Sequence, residues 1–96
     1  MKPPRIKLSG YLDIPSESWD KILEALEIHI ALTRAEAGCI YFNVDPSKDI
    51  PFRLNVSEMF VDQAAFDAHQ ARNKPSDWAK KSAGIPRHFE ISEDHG

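Results

Sequence analysis

Cysteine is nearly missing from this chain of 96 residues, in which Cys39 stands alone. No internal disulfide can form, and no second thiol stands at zinc-knuckle spacing. Such usage suits a reducing compartment, and a cytoplasmic protein is expected. The opening residues MKPPRIKLSG lack the uninterrupted apolar core of a signal peptide. No apolar run approaches the ~20 residues of a membrane-spanning helix, so no membrane partner is expected. The net charge is −3, with basic and acidic residues interspersed, and no basic block points to nucleic acid. Glycine-rich phosphate loops and nucleophile elbows are absent. His29, His69, His88 and His95 form no i, i+4 pair and no carboxylate cluster at ligand spacing, which argues against a metal site.

What remains is an ordinary soluble composition, 42% hydrophobic and 28% charged, in a length that holds one domain, residues 1–96. After a lead-in at Met1 to Pro4, Arg5 to Asp13 alternates as a half-buried strand, with Gly10 a bulge or close-approach point. Pro15-Ser16 opens a helix to about Ala37. Its core stripe is Trp19, Leu23, Leu26, Ile30, Thr33 and Ala37, with Ile22 and His29 on the flank. Ala25, Ile28 and Leu32 make a smaller apolar strip on the far side, a hint of a partner surface. Gly38 fits the C′ position of this helix. Cys39 to Val44 is a second strand, with Cys39 a small packing residue, and DPSKDIP is a turn-rich connection of hairpin length.

The informative stretch is FRLNVSEMFVDQAAFDAHQ, Phe52 to Gln70. Phe52, Leu54, Val56 and Phe60 alternate as a strand. Asp62 then caps a helix whose Ala65, Phe66 and His69 share a face. Glu58 is in phase with the strand's apolar set, and His69 with the helix's. A carboxylate and an imidazole aimed at one buried layer are either hydrogen-bonded core residues or the polar groups of a ligand pocket, with room left beside Ala65. Asn73-Lys74-Pro75 ends the helix. Ser76 caps a further turn or two, Trp78 to Ala83, closed by Gly84. Pro86 to Ser92 is the last strand, and Glu93 to Gly96 a polar tail.

The order β-α-β-β-α-β gives a ferredoxin-like α+β layer, an antiparallel sheet with its helices on one face. Tyr11, Tyr41 and Phe89 add apolar surface that one helical layer cannot cover, so a homodimer through the bare face is expected.

The run His29…Leu32-Thr33-Arg34-Ala35-Glu36-Ala37-Gly38-Cys39…Tyr41, followed by Glu58…Ala64-Ala65-Phe66-Asp67-Ala68-His69, resembles the antibiotic biosynthesis monooxygenase family over essentially the whole chain. The resemblance implies a dimeric α+β barrel with a pocket in each subunit between sheet and helices. It also implies oxygenation, without a cofactor, of a small aromatic or quinol-type compound. The quinone-forming branch pairs an Asn and a Trp on the third strand, and this chain has Val56 and Phe60 there, with Asn55 one residue off. The haem-degrading branch has a Trp on the second helix where this chain has His69, and its later His falls near Ala79. Haem is therefore not expected.

Chemistry of that kind needs a base to deprotonate the substrate and a dry pocket for the anion. His69 is the candidate base, since imidazole titrates near neutrality. Glu58 would orient it, or act as base itself if burial raises its pKa. Tyr41, Phe60, Phe66 and Trp78 are candidate substrate-binding walls, and His29 a hydrogen-bond donor. His29 and Arg34 could instead close a dimer or helix-end network, and Tyr41 could be plain sheet packing. Two functions compete: a monooxygenase, and a non-catalytic small-molecule-binding or stress-response barrel. An isomerase on the same scaffold is a third.

Overall fold

The computed structural model describes residues 3–95; Met1 and Lys2 of the lead-in and Gly96 of the tail lie outside them. Strand β1 (Arg5–Asp13) leads through a 3-10 turn at Ser16–Ser18 into α1 (Trp19–Arg34). Then come β2 (Cys39–Pro46), β3 (Arg53–Phe60), α2 (Gln63–Asn73), α3 (Asp77–Lys81) and β4 (Arg87–Asp94). The sheet is antiparallel in the order β2-β3-β1-β4. This is the expected ferredoxin-like α+β layer.

Alternation in β1 and β3 sets the core. Ile6, Leu8 and Leu12 face the helices beside Leu54, Val56 and Phe60, and Ile22, Leu26, Phe66 and Trp78 close over them. Gly10 is a close-approach point, not a bulge, because β1 keeps an unbroken register with both neighbours. A Cβ there would lie 1.9 Å from the His88 carbonyl oxygen. The irregularity lies instead in β2, between Cys39 and Tyr41.

Several local expectations give way to packing. Helix α1 stops at Arg34, and Gly38 is not its left-handed cap: Gly84, at φ 81°, is the one described glycine with positive φ. Gly38 is needed for space, since a Cβ there would lie 2.3 Å from the Ala65 Cβ. The buried face of α1 is Ile22, Ala25, Leu26, His29 and Thr33, with Trp19, Leu23 and Ile30 half-buried. The stripe is rotated because α3 packs on the Ala25–His29 flank, leaving Ile28 and Leu32 exposed. Phe52 is not a strand residue. It sits at φ 61° before β3, exposed, with its ring edge-on to Trp19. Such a φ is strained for a side-chain-bearing residue. Strand β4 runs past Ser92 to Asp94, whose carboxylate pairs with Arg5 at 3.1 Å.

The open face of the sheet is more polar than the alternation suggests. Tyr41 and Met59 lie on it by register, with Ser9, Asn43, Ser57 and Glu90. Tyr11 is there too, under the Arg53 guanidinium and stacked on His88. Phe89, opposite Gly10, is on the helix side.

Candidate functional site

Glu58 stands in β3 between Phe42 of β2 and Leu8 of β1, all directed at the helical layer. Asp62 breaks the chain sharply into α2, its Oδ1 accepting from the Ala65 amide at 2.8 Å. Helix α2 then returns over the sheet and buries only Phe66 and His69. Pro75 ends that turn, and Ser76 caps α3 by accepting from the Ala79 amide, which brings Trp78 down beside α1. The result is a cavity of about 230 Å³ between sheet and helices. Leu8, Leu12, Val44, Val56 and Phe89 form its sheet-side floor, with Leu26 on α1. Glu58, His69, His29, Phe42 and Trp78 cluster in the wall, with Gln70, Asn73 and Arg87 completing the lining.

Among the expected site residues, His69, Glu58, His29 and Trp78 are therefore brought together. His29 stacks on Trp78 with centroids 5.3 Å apart and meets Phe42 edge-on. Phe60 and Phe66 lie behind the site in the core, where Phe60 packs against His69 with ring centroids 4.9 Å apart. Tyr41 is on the far face of the sheet and does not line the cavity. The room expected beside Ala65 is filled by Gly38, and the cavity opens instead toward α1, α3 and β4. Arg34 does close a helix-end network, donating to the Phe42 carbonyl at 3.0 Å and to Asn43 Oδ1 at 3.3 Å.

Glu36 is the partner that periodicity misses. With α1 carried on to Ala37 it would be a helical surface residue, whereas the helix ends early and Glu36 turns toward α2. Its Oε1 lies 2.9 Å from His69 Nδ1, and its Oε2 accepts from Arg72 Nε. Arg72 also donates to the Thr33 hydroxyl at 3.0 Å. A carboxylate paired with arginine only accepts, so His69 Nδ1 carries the proton and Nε2 presents a lone pair. That Nε2 is 3.8 Å from Glu58 Oε1, close by but beyond hydrogen-bond reach.

Burial governs the electrostatics. Glu58 is 7% exposed, and its Oε1 has no hydrogen-bond partner among the described residues. Burial, reinforced by the charge of Glu36, lifts its pKa from 4.5 to about 7. His29 Nδ1 is equally unpartnered. Burial, then the neighbouring His69 and Arg72, push its pKa down to about 4, so it is neutral at physiological pH. Burial also lowers the pKa of His69, against the opposing pull of Glu36. The cavity thus holds two neutral imidazoles and a carboxyl that titrates near neutrality, between an apolar sheet-side floor and a polar rim of Gln70, Asn73 and Arg87.

The fold and this cavity define a ferredoxin-like α+β domain with a partly open cavity between sheet and helices. The sequence profile of the family described as "antibiotic biosynthesis monooxygenase" matches residues 5–81, and the chain belongs to that family. Its fold is shared by a Nitrosomonas europaea protein described as a candidate antibiotic biosynthesis monooxygenase. The TM-score is 0.85 and the identity 18%, over 99% of this chain and 94% of that one. A Shewanella oneidensis protein is 28% identical, with TM-score 0.77 over 95% of this chain and 91% of its own. A Bacteroides thetaiotaomicron protein, also described as a candidate antibiotic biosynthesis monooxygenase, has TM-score 0.77 and 19% identity over 98% and 90%. No curated protein sequence matches significantly. No helix among the described residues is long and apolar enough to cross a membrane.

Proposed function

We propose that the chain is a cofactor-independent monooxygenase acting on a small hydroxylated aromatic or quinol-type compound. One observation carries the reading: an imidazole, tautomerically fixed by Glu36, stands beside a buried, unpartnered carboxyl in a cavity with an apolar sheet-side floor. His69 Nε2 takes the phenolic proton. The resulting phenolate, in surroundings that solvate it poorly, is electron-rich enough to pass one electron to dioxygen. Collapse of the radical pair forms a carbon–oxygen bond and a peroxide anion. The His69 imidazolium protonates the peroxide and, neutral again, takes the hydrogen of the oxygenated carbon as the O–O bond breaks. A carbonyl forms, one oxygen atom enters the product and the other leaves as water, with two of the four electrons from the phenolate and two from the broken carbon–hydrogen bond. Glu58, which holds its proton near neutral pH, is placed to return a proton to the departing hydroxide. The cavity is smaller than the roughly 300–1,000 Å³ of sites for drug-sized ligands, which favours a substrate of one or two rings.

A second reading, a barrel that only sequesters such a compound, is favoured by Val56 and Phe60 standing where the quinone-forming branch has its Asn and Trp. Oxygen uptake with a panel of naphthol- and anthrone-like compounds separates the two. The enzyme reading expects uptake that His69→Ala abolishes and Glu58→Gln reduces at least tenfold. Uptake untouched by both substitutions removes this site, and binding without uptake leaves the sequestering barrel. We also propose a homodimer through the open sheet face, where Tyr11, Tyr41 and Met59 lie among side chains able to pair across a two-fold axis. A folded monomer in sedimentation at micromolar concentration would overturn it.

A further inference from the structure

The cavity is chemically lopsided along the strands. Glu58 lies opposite Leu8 of β1, and Arg87 lies opposite Leu12. Those positions are four residues apart, about 13 Å at roughly 3.3 Å per residue. Helix α2 runs back over the sheet from the Glu58 end, so Asn73, one turn beyond His69, is about 6 Å nearer the Arg87 end. The titratable groups thus sit at one end and a set of donors at the other.

Arg87 is the one permanently charged side chain among the described lining residues. Its Nε donates to the Ile85 carbonyl at 3.2 Å, and an Nη2 hydrogen goes to the Ser82 carbonyl. These bonds hold the head at the end of α3 and satisfy part of its five-donor fork. They do not neutralise it, for Arg87 pairs with no carboxylate among the described residues. Asn73 is oriented in the same sense. Its Oδ1 accepts from Ser76 Oγ at 3.0 Å, which leaves the amide nitrogen as its unused group.

Taking the cavity as the substrate site proposed above, we infer that its ligand is a hydroxyaromatic carboxylate, with the hydroxyl at His69 and Glu58 and the carboxylate at Arg87. A planar guanidinium recognises a carboxylate through paired N–H donors, and an amide N–H₂ beside it adds a third. A wholly neutral phenol would leave this charged end of the cavity unused.

The test is binding, read by quenching of tryptophan fluorescence, since Trp78 lines the cavity. The probes are 6-hydroxy-2-naphthoate, its methyl ester and 2-naphthol. Wild-type protein is expected to bind the acid about tenfold more tightly than the ester, the size of a charge-assisted contact at a partly solvated site. Arg87→Gln abolishes that preference while the affinity for 2-naphthol, which has no group at that end and reports an intact cavity, stays unchanged. Arg87→Lys keeps part of the preference, and high salt erodes it. Equal binding of acid and ester by the wild type overturns the inference alone, as does a preference that survives Arg87→Gln. Failure of all three probes to bind overturns it together with the cavity reading. Oxygen uptake is scored separately, so a bound but unreactive acid counts against the enzyme and for the carboxylate site.

Discussion

Replacing Glu58 with Gln should change how the stability of the fold depends on pH, by an amount the two buried, unpartnered groups set. An unfolded glutamate loses its proton near 4.5, whereas folded Glu58 keeps it to about 7. Between those values the native state binds more protons than the unfolded one, so stability is full below about 4.5 and falls as pH rises through 7. At roughly 1.4 kcal/mol per pH unit the loss is about 3 kcal/mol. His29 works in the opposite sense. Its ordinary 6.5 drops to about 4, so the unfolded state binds more protons in that window. Its contribution is complete above 6.5 and is lost as pH falls toward 4, again by about 3 kcal/mol. The two slopes oppose one another across most of the same range, so between them the wild type gains and loses little. Glu58→Gln removes one slope and exposes the other. In urea unfolding, the variant should gain about 2–3 kcal/mol relative to wild type on going from pH 5 to pH 8. A difference between the two proteins that is the same at both pH values would refute the claim that Glu58 is buried with its proton.

Two further perturbations probe the supports of the site. Glu36→Gln removes the charge that raises both the His69 and Glu58 pKa values, so both should fall, and unmoved His69 ring-proton titration by NMR would show that the pair does not persist in solution. Gly38→Ala drives a methyl into Ala65 and pushes α2 outward, at a cost of about 1–3 kcal/mol in thermal or urea unfolding; a neutral substitution would mean the contact is slack.

Much of the fold is carried by local chemistry and could be read from it. Asp62 and Ser76 both cap the helices expected of them, and Pro75 divides those helices, because capping and proline geometry act within a few residues. Glu58 and His69 declare themselves by phase alone, as polar residues in apolar sets. What stayed hidden depends on contacts between segments. The buried stripe of α1 is turned by α3, which lies more than forty residues further along the chain. Phe52 leaves the strand pattern because the backbone there bends to accept the Ile14 amide through its carbonyl. Glu36 and Arg72 become site residues only when the loop after α1 meets the last turn of α2, a juxtaposition with no periodicity to announce it. Arg87 reads as a strand residue of no particular kind until the cavity it borders is seen. Tyr41 faces away by alternation with Phe42, which pairs with Glu58 on the helix side, and that register is set only when β2 meets β3.

The reaction itself is tested most directly by turnover under ¹⁸O-labelled dioxygen, with a naphthol- or hydroxynaphthoate-type compound that the protein binds. The geometry of His69 and Glu58 predicts one labelled oxygen atom in the quinone product, the other in water, and loss of both when His69 is replaced by Ala. Unlabelled product, label that persists in the His69→Ala protein, or a bound compound returned unchanged would contradict it.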